Sequence, residues 1–229
     1  MKISGSGRIQ GGKIDEDLIV TGSAHIRDNI ECNDVRISGS LHGIGALISH
    51  GGVKSSGKFH IDGELHGDND INFSGSTTVG NGIIAQGILR SSGSFRVNNK
   101  VIASLGFIST GSSIIKGDLV SDKTISFDGS ARIFGDIKAD DVLIDTKYQW
   151  SLKKIFSVKK HPYRIRGSIH AKNKVEISRA IVNKDIKGRD VKIGERSDIE
   201  GIVYYVDNLD VHKKAILRNK PIKIKLEEL

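Results

Sequence analysis

The sequence is poor in the residues that build disulfide-stapled domains or membrane spans. Its 229 residues include one cysteine, two prolines and 5% aromatic side chains. The single cysteine, Cys32, excludes an internal disulfide framework and favours a reducing compartment. No apolar run approaches the ~20 residues of a membrane-spanning helix, and the residues after Met1 are too polar for the apolar segment of a signal peptide. We therefore expect a cytoplasmic protein, long enough for one or two domains.

Glycine, in contrast, is abundant and regularly spaced. One glycine flanked by Ser, Thr or a similar residue recurs in steps of 17 or 18 residues, followed by one longer step. Its positions are Gly5, Gly22, Gly39, Gly57, Gly75, Gly93, Gly111, Gly129 and, after the longer step, Gly167. Self-similarity at a fixed period of this length is typical of solenoid folds, in which each repeat forms one turn.

Apolar residues form columns when the turns are aligned on that glycine. Three columns lie four, eight and fourteen residues after it, as Val79, Ile83 and Leu89 do after Gly75. A fourth column, six residues after it, holds Gly, Asn or Asp, which accept the left-handed backbone of a tight corner. This pattern predicts three short strands per turn, whose inward side chains are buried by stacking. The predicted fold is an all-β parallel β-helix (β-solenoid) of about ten 18-residue rungs with a triangular section.

The pattern divides the chain into four segments. Residues 1–144 and 166–211 are predicted as β-helix rungs, residues 145–165 as an insert, and residues 212–229 as a C-terminal strand or cap.

The net charge is +8, and residues 145–166 alone contribute +6 of it. A basic character concentrated in so short a segment does not indicate a protein that packs nucleic acid.

The insert combines basic residues with the only tryptophan of the chain. Four of its apolar residues follow the i, i+4, i+7, i+8 spacing of one helix face, which predicts a loop or a short amphipathic helix. Such a segment suits an anionic membrane surface or an acidic protein partner; alternatively, its aromatic residues pack on the flank of the solenoid. The predicted contact residues are Tyr148, Trp150, Leu152, Lys153, Lys154, Ile155, Phe156, Lys159 and Lys160.

An outward column of histidines is the first candidate for chemistry. Stacked imidazoles could bind a metal ion or respond to pH, but arginines in the same column favour a solvated outer face. The histidines are His25, His42, His60 and His170, and the arginines are Arg8, Arg96 and Arg132. We therefore predict no metal site.

Carboxylate pairs and one loop histidine are further candidates. The pairs are Asp118 with Asp136 and Asp122 with Asp140. Calcium could bind there, but the nearby Lys123 and Lys138 explain the pairs more simply. The competing functional class is an acyltransferase of the hexapeptide-repeat type, which needs a general-base histidine on a projecting loop, here His161. We predict no catalytic residue and no cofactor.

With its [ST]-G-S repeat, apolar core and 18-residue step, the chain resembles the bactofilins, a family of polymer-forming cytoskeletal proteins. Residues 180–211, with I-K-G-R-D-V-K-I-G from Ile186 to Gly194, are similar to the C-terminal half of longer polymer-forming members. The resemblance implies a right-handed β-helix that forms filaments without nucleotide in the cytoplasm, often at the inner face of the membrane. Two features depart from the family: the first rung begins almost at Met1, without the usual membrane-binding tail, and the long core is interrupted by an insert.

The ends of such a solenoid are the candidate assembly surfaces. An open end exposes unpaired backbone groups above an apolar core, which favours pairing with another chain. The residues predicted on the first exposed rung are Met1, Ile3, Ile9, Leu18 and Val20. We predict end-to-end self-association, at least between N-terminal ends, and a filament if the C-terminal ends also pair. Two alternatives remain: residues 1–4 fold over the first rung and leave a monomer, or residues 221–229 cap the other end and limit assembly to a dimer.

Overall fold

The computed structural model describes residues 1–145 and 162–229. These residues form β-strands, which pair in parallel, and one turn of 3-10 helix at Leu226–Glu228. The chain winds into a β-solenoid of about eleven turns, one more than the sequence predicted. The predicted all-β solenoid is therefore confirmed.

Each turn contributes one strand to each of three faces. The first face contains β1 (Lys2–Ile3), β4 (Leu18–Val20), β7 (Val35–Ile37), β10 (Val53–Ser55), β13 (Ile71–Phe73), β16 (Ile88–Ser91), β19 (Gly106–Ser109), β22 (Thr124–Phe127) and the second halves of β24 (Ile137–Ile144), β26 (Ile169–Ile177), β28 (Ile186–Ile193) and β30 (Val203–Val211). The second face contains β2 (Ser6–Ile9), β5 (Ser23–Ile26), β8 (Ser40–Gly43), β11 (Lys58–Ile61), β14 (Ser76–Val79), β17 (Ser94–Val97), β20 (Ser112–Ile115), β23 (Ser130–Ile133), β25 (Tyr163–Ile165), β27 (Ala180–Val182), β29 (Asp198–Ile199) and β31 (Ile216–Leu217). The third face contains β3 (Gly12–Lys13), β6 (Ile30–Cys32), β9 (Leu47–Ser49), β12 (Leu65–Gly67), β15 (Ile83–Ala85), β18 (Val101–Ala103), β21 (Leu119–Val120), the first halves of the four long strands, and β32 (Ile222–Lys223).

Neighbouring strands lie in register at a spacing of one turn. Most pairings join residues 17 or 18 positions apart, as Ile9 pairs with Ile26 and Val35 with Val53. With about 4.8 Å between paired strands, this stack gives a rod about 50 Å long. The long strands bend around the corner between the third and first faces, where their pairing shifts register.

The insert interrupts the corner between the first and second faces. Asp145 takes the corner position of Asp128, because its amide donates to the carbonyl oxygen of the residue before Asp128. Tyr163 pairs with Ala131 on the second face. Between Asp145 and Tyr163 the chain therefore has 17 residues, whereas between Asp128 and Ala131 of the preceding turn it has two.

This placement corrects the alignment that the glycine repeat predicts after the insert. The repeat aligns Gly167 with Gly129, but Gly167 stacks on Gly135 at the corner between the second and third faces. The pairing of Ile133 with Ile165 sets this register. The Arg-Gly-Ser triplet around Gly167 therefore matches the repeat in sequence but lies at a different corner of the solenoid.

Inward side chains of all three faces form one continuous apolar core. Its largest ladder is aromatic: Phe59, Phe73, Phe95, Phe107 and Phe127 follow one another with ring centroids 5.1, 6.1, 5.9 and 5.3 Å apart. Where a phenylalanine lies on one side of the first-to-second corner, a small buried residue lies on the other. Ser91 accompanies Phe95 in this way, and Thr77 accompanies Phe73. Exchanging large and small residues across the corner keeps the interior filled without overpacking it.

Close backbone stacking explains the repeated glycine. At its corner, an amide of one turn donates to a carbonyl oxygen of the turn before, as Ser76 N does to Gly57 O at 3.2 Å. A Cβ added at Gly75 would lie 1.9 Å from that same oxygen. The sequence also predicts left-handed backbone in the column of Gly, Asn and Asp six residues later. Of the members of that column, which all lie in the described residues, only Gly11 has a positive φ, of 112°. None of the repeated glycines themselves has a positive φ, so contact between turns, rather than backbone handedness, selects glycine at their corner.

The substitution Gly75→Ala should lower the free energy of unfolding by about 1–3 kcal/mol, because the added methyl group forces neighbouring turns apart. Gly5→Ala is the matched control from the same column, since nothing lies within 4 Å of its added Cβ. It should be neutral, or stabilising by up to about 1 kcal/mol through the unfolded chain. Urea unfolding of both variants measures the difference, and equal effects would contradict the stacking explanation.

The substitution Ser91→Ala should raise stability by about 1 kcal/mol, because it removes a buried hydroxyl that lacks a hydrogen-bond partner among residues 1–145 and 162–229. Ser109→Ala should instead destabilise the protein, since the Ser109 and Ser113 hydroxyls hydrogen-bond at 2.7 Å. Urea unfolding of the two variants should give opposite signs. Destabilisation in both would show that the Ser91 hydroxyl is satisfied.

Candidate functional site

The N-terminal end of the rod presents three strand edges. Strands β1, β2 and β3 pair only with the turn beneath them, and no strand of the described residues covers their outer edges. Lys2–Ile3 pairs with Ile19–Val20 and so adds a strand to the first face. This arrangement extends the solenoid rather than folding the leading residues across its end.

The five residues predicted at this end do not share one environment. Met1 is exposed, and Ile3 is half-buried against the core. Leu18 and Val20 are buried because the first strand covers the turn that contains them. Ile9 is also buried, although it lies on the outermost turn. Met1, Ile3 and Ile9 therefore lie on the outermost rung as expected, whereas Leu18 and Val20 lie on the rung beneath it. The role of these residues in self-association stays a prediction.

Acidic residues line the third-to-first corner at the N-terminal end. The Met1 ammonium group contacts Glu16 Oε2 at 2.6 Å and donates to Asp17 O at the same distance. Arg36 pairs with Asp17, and this hydrogen bond holds the pKa of the Asp17 carboxyl below its usual value. With Asp15, three consecutive carboxylates mark this end of the rod.

The C-terminal end is also open in the part of the chain that the structure describes. Strands β31 and β32 continue the parallel stack as its last members. Val211 and Ile216 expose apolar surface there, and Leu209 is half-buried. Lys223 pairs with Tyr205, so an exposed charged side chain lies at the end of a column whose members elsewhere point into the core.

The last residues turn away from this end. Lys187 Nζ donates to the Glu228 carbonyl oxygen at 2.6 Å. Leu226 and Leu229 line a groove on the third face with His170 and Lys187. Residues 221–229 therefore supply one more strand and then lie along the side of the rod, which differs from the cap considered above.

The predicted membrane or partner residues of the insert lie outside the described residues. They are Tyr148, Trp150, Leu152, Lys153, Lys154, Ile155, Phe156, Lys159 and Lys160, and the loop histidine His161 lies there as well. Beside the insert, Arg179 forms a buried bidentate ion pair with Asp145. The Tyr163 hydroxyl accepts a hydrogen bond from Gly129 N at 2.9 Å, and burial raises the pKa of Tyr163. Both chain ends of the insert thus adjoin a well-packed corner.

The carboxylate columns serve the backbone and nearby lysines. Asp118 Oδ1 accepts the amide of Asp136, and Asp136 Oδ1 accepts the amide of Ser168, both at 2.8 Å. Asp140 pairs with Lys172 Nζ at 2.9 Å. Hydrogen bonds between turns therefore explain the first acidic pair.

The histidine column is confirmed over three consecutive turns. His25 pairs with His42 and His42 with His60 on the second face, with ring centroids 5.7 and 4.7 Å apart. His170 does not belong to it, because it pairs with Lys138 on the third face. Burial lowers the pKa of His170, and the neighbouring lysines add to this effect.

A ladder of alternating charges on the third face was not predicted. Lys13 lies 3.1 Å from Glu31 Oε1, which is 2.8 Å from His50 Nε2. His50 Nδ1 lies 3.1 Å from Asp68 Oδ2, and Asp68 Oδ1 lies 2.8 Å from His66 Nε2. The sequence does contain a signal for this ladder. Successive members Lys13, Glu31, His50 and Asp68 are separated by 18 or 19 residues, which is about one turn.

The two carboxylates of this ladder favour a protonated His50. The hydrogen bond to Glu31 raises the pKa of His50 most, and the bond to Asp68 adds to it. In return, His66 and His50 lower the pKa of Asp68. This ladder joins four turns along the outside of the rod, where solvent screens each pair.

Comparison with protein-family models, with curated proteins and with solved structures found no match for this chain. Within the described residues, no helix has the length and apolar character needed to span a membrane. The class that the fold defines is the β-solenoid, and functional assignment rests on its ends and its side-chain columns.

The His50 imidazole should titrate above its ordinary pKa of about 6.5, and Glu31→Gln should lower its midpoint. Because the folded-state pKa is raised, the stabilisation is complete below the unfolded-state pKa and is lost as pH rises through the folded value. Histidine NMR titration of the wild type and of E31Q measures this shift. A wild-type midpoint at the ordinary value, or one insensitive to E31Q, would contradict the ladder.

Proposed function

We propose that this protein is a structural protein that assembles end to end into a nucleotide-independent cytoskeletal polymer. The observation that supports this proposal most directly is that all three faces end on unpaired strand edges, at both ends of the described solenoid. Such edges are templates for further parallel pairing. The [ST]-G-S repeat and the resemblance to bactofilins support the same function.

Head-to-tail stacking continues the side-chain columns of the rod from one molecule to the next. In that arrangement Ile3 of one copy follows Val211 of the other, because both belong to the same inward column of the first face. Lys2 follows Asp210 in the adjacent outward column. The contact therefore buries apolar side chains and places opposite charges next to each other.

The charges of the two ends also favour head-to-tail contact. The N-terminal end carries the acidic residues 15–17, and the C-terminal end carries Lys223 and Lys225 at the approach to the same corner. Contact between two C-terminal ends would instead bring these lysines together with Lys213 and Lys214 of both copies. Like charges at an interface suppress that pairing, and two N-terminal ends in contact would likewise bring residues 15–17 of both copies together. We therefore propose a polar filament; the N-to-N contact stays an untested prediction from the sequence.

The insert and the location of the protein belong to the same proposal. The basic and aromatic composition of residues 145–165 supports peripheral contact with the anionic inner face of the membrane, or with an acidic protein. Many weak contacts along a polymer gain avidity. Cytoplasmic location and membrane contact stay predictions from the sequence.

The assembly experiment uses one substitution at each end. Gly5→Lys places a charge on the N-terminal tip, where nothing in the monomer lies within 4 Å of the added Cβ. Val211→Lys does the same at the C-terminal end, where Val211 is 38% exposed. Ile108→Lys is the matched control, because Ile108 is 37% exposed but lies on the side of the rod. Sedimentation velocity and negative-stain microscopy at several concentrations report the assemblies.

Wild type and I108K should form rods longer than one molecule, whereas G5K and V211K should each stay monomeric. A mixture of G5K and V211K should form dimers through the one intact pair of ends, since head-to-tail contact needs one end of each kind. Dimers of either variant alone would indicate contact between like ends. A monomeric wild type would overturn the proposal, and a side-by-side trimer would favour the hexapeptide acyltransferase class.

A further inference from the structure

Two turns of the second face bring three metal-ligating side chains together. His42 on β8 pairs with His60 on β11, and Asp62 follows β11 at the corner toward the third face. His60 Nε2 lies 2.7 Å from Asp62 Oδ1, and His42 Nε2 lies 3.9 Å from Asp62 Oδ2. One ligand atom from each residue lies within 4.8 Å of the others.

These separations suit a first-row transition metal. Zinc binds imidazole nitrogen and carboxylate oxygen at about 2.0–2.2 Å in tetrahedral geometry, which places its ligand atoms about 3.3 Å apart. The observed separations span that value, so small rotations of the three side chains would bring them into range. All three side chains are partly exposed, so the site is open to solvent and the packed core does not prevent these rotations.

The stacked fold supplies part of the order that a metal site requires. In-register pairing holds His42 and His60 one turn apart, with ring centroids at 4.7 Å. The existing hydrogen bond between His60 and Asp62 orients the carboxylate toward the two imidazoles. Ligands that are already adjacent lose less conformational freedom when the ion binds.

The arrangement of nearby cations also permits a bound ion. In the histidine column, His25 separates Arg8 from His42, and Thr78 separates Arg96 from His60. Each arginine is therefore two turns from the nearest ligand. Lys58 stands two residues before His60 on the same strand, and its long side chain is exposed. The carboxylate of Asp62 offsets part of this positive charge.

We propose that His42, His60 and Asp62 form a binding site for one divalent transition metal ion of the zinc type, with the fourth position open to water. Imidazole ligands favour zinc, copper or nickel over calcium and magnesium. This proposal differs from the expectation, drawn from the sequence, that the chain has no metal site. It is independent of end-to-end assembly, because the site lies on the side of the rod.

Calorimetric titration with zinc chloride tests the site in full-length protein without a polyhistidine tag, after treatment with a chelator. One ion should bind per chain, and the Tm should rise with zinc concentration, because the ion binds the folded state and joins two turns. The absorption spectrum of bound cobalt(II) provides a second readout of tetrahedral coordination. The test variant is H42Q/H60Q, with D62N as a single-ligand variant.

The matched control is H50Q/H66Q, which also removes two histidines from neighbouring turns but on a different part of the rod. Because losing even an outer partner of a metal site weakens affinity about 10- to 100-fold, H42Q/H60Q should bind at least about tenfold more weakly and lose the Tm shift. H50Q/H66Q should bind as the wild type does. Urea unfolding without metal checks that each variant is folded. Absence of stoichiometric binding by the wild type, or loss of binding in the control instead, would overturn the proposal.

Discussion

Parallel stacking of backbone, turn upon turn, is the constraint on which the rest of this structure depends. Each turn donates amide hydrogen bonds to the turn before it, and the repeated corner brings Gly75 against the carbonyl oxygen of Gly57. Only a residue without a Cβ accepts that approach without displacing its neighbours. In the turns before the insert, the repeated glycine therefore lets neighbouring turns approach closely at the corner between the first and second faces.

Because neighbouring turns pair in register, residues that are one sequence period apart lie in the same side-chain column. Residues about 18 apart become neighbours at about 4.8 Å, the spacing of paired strands. The same rule produces the histidine column on the second face and the charge ladder through His50 on the third. It also explains why the two ends carry free strand edges, because a turn at the end of the rod has a neighbouring turn on one side only.

Polar residues at the corners form hydrogen bonds and ion pairs that hold neighbouring turns together. Asp118 and Asp136 each accept an amide of the following turn, and Asp145 pairs with Arg179 in a buried contact beside the insert. An acidic column in a solenoid is therefore weak evidence for a cation site, because the stacked backbone supplies its own donors. The cluster of His42, His60 and Asp62 differs, since these side chains contact one another.

The fold class, the turn length and the inward columns could be predicted from the sequence, because burial imposes its period directly on apolar residues such as Val79, Ile83 and Leu89. The sequence also predicted the three-turn histidine column. The register after the insert, where Gly167 meets Gly135, is seen only in the folded structure. The same holds for the burial of Leu18 and Val20 beneath the first strand. Local triplets cannot distinguish one corner from another, and a residue's exposure at the end of a rod depends on which strand pairs above it. Contacts between side chains at corners, as in the His50 ladder and around Asp62, depend on rotamers and register together, so only the folded chain specifies them.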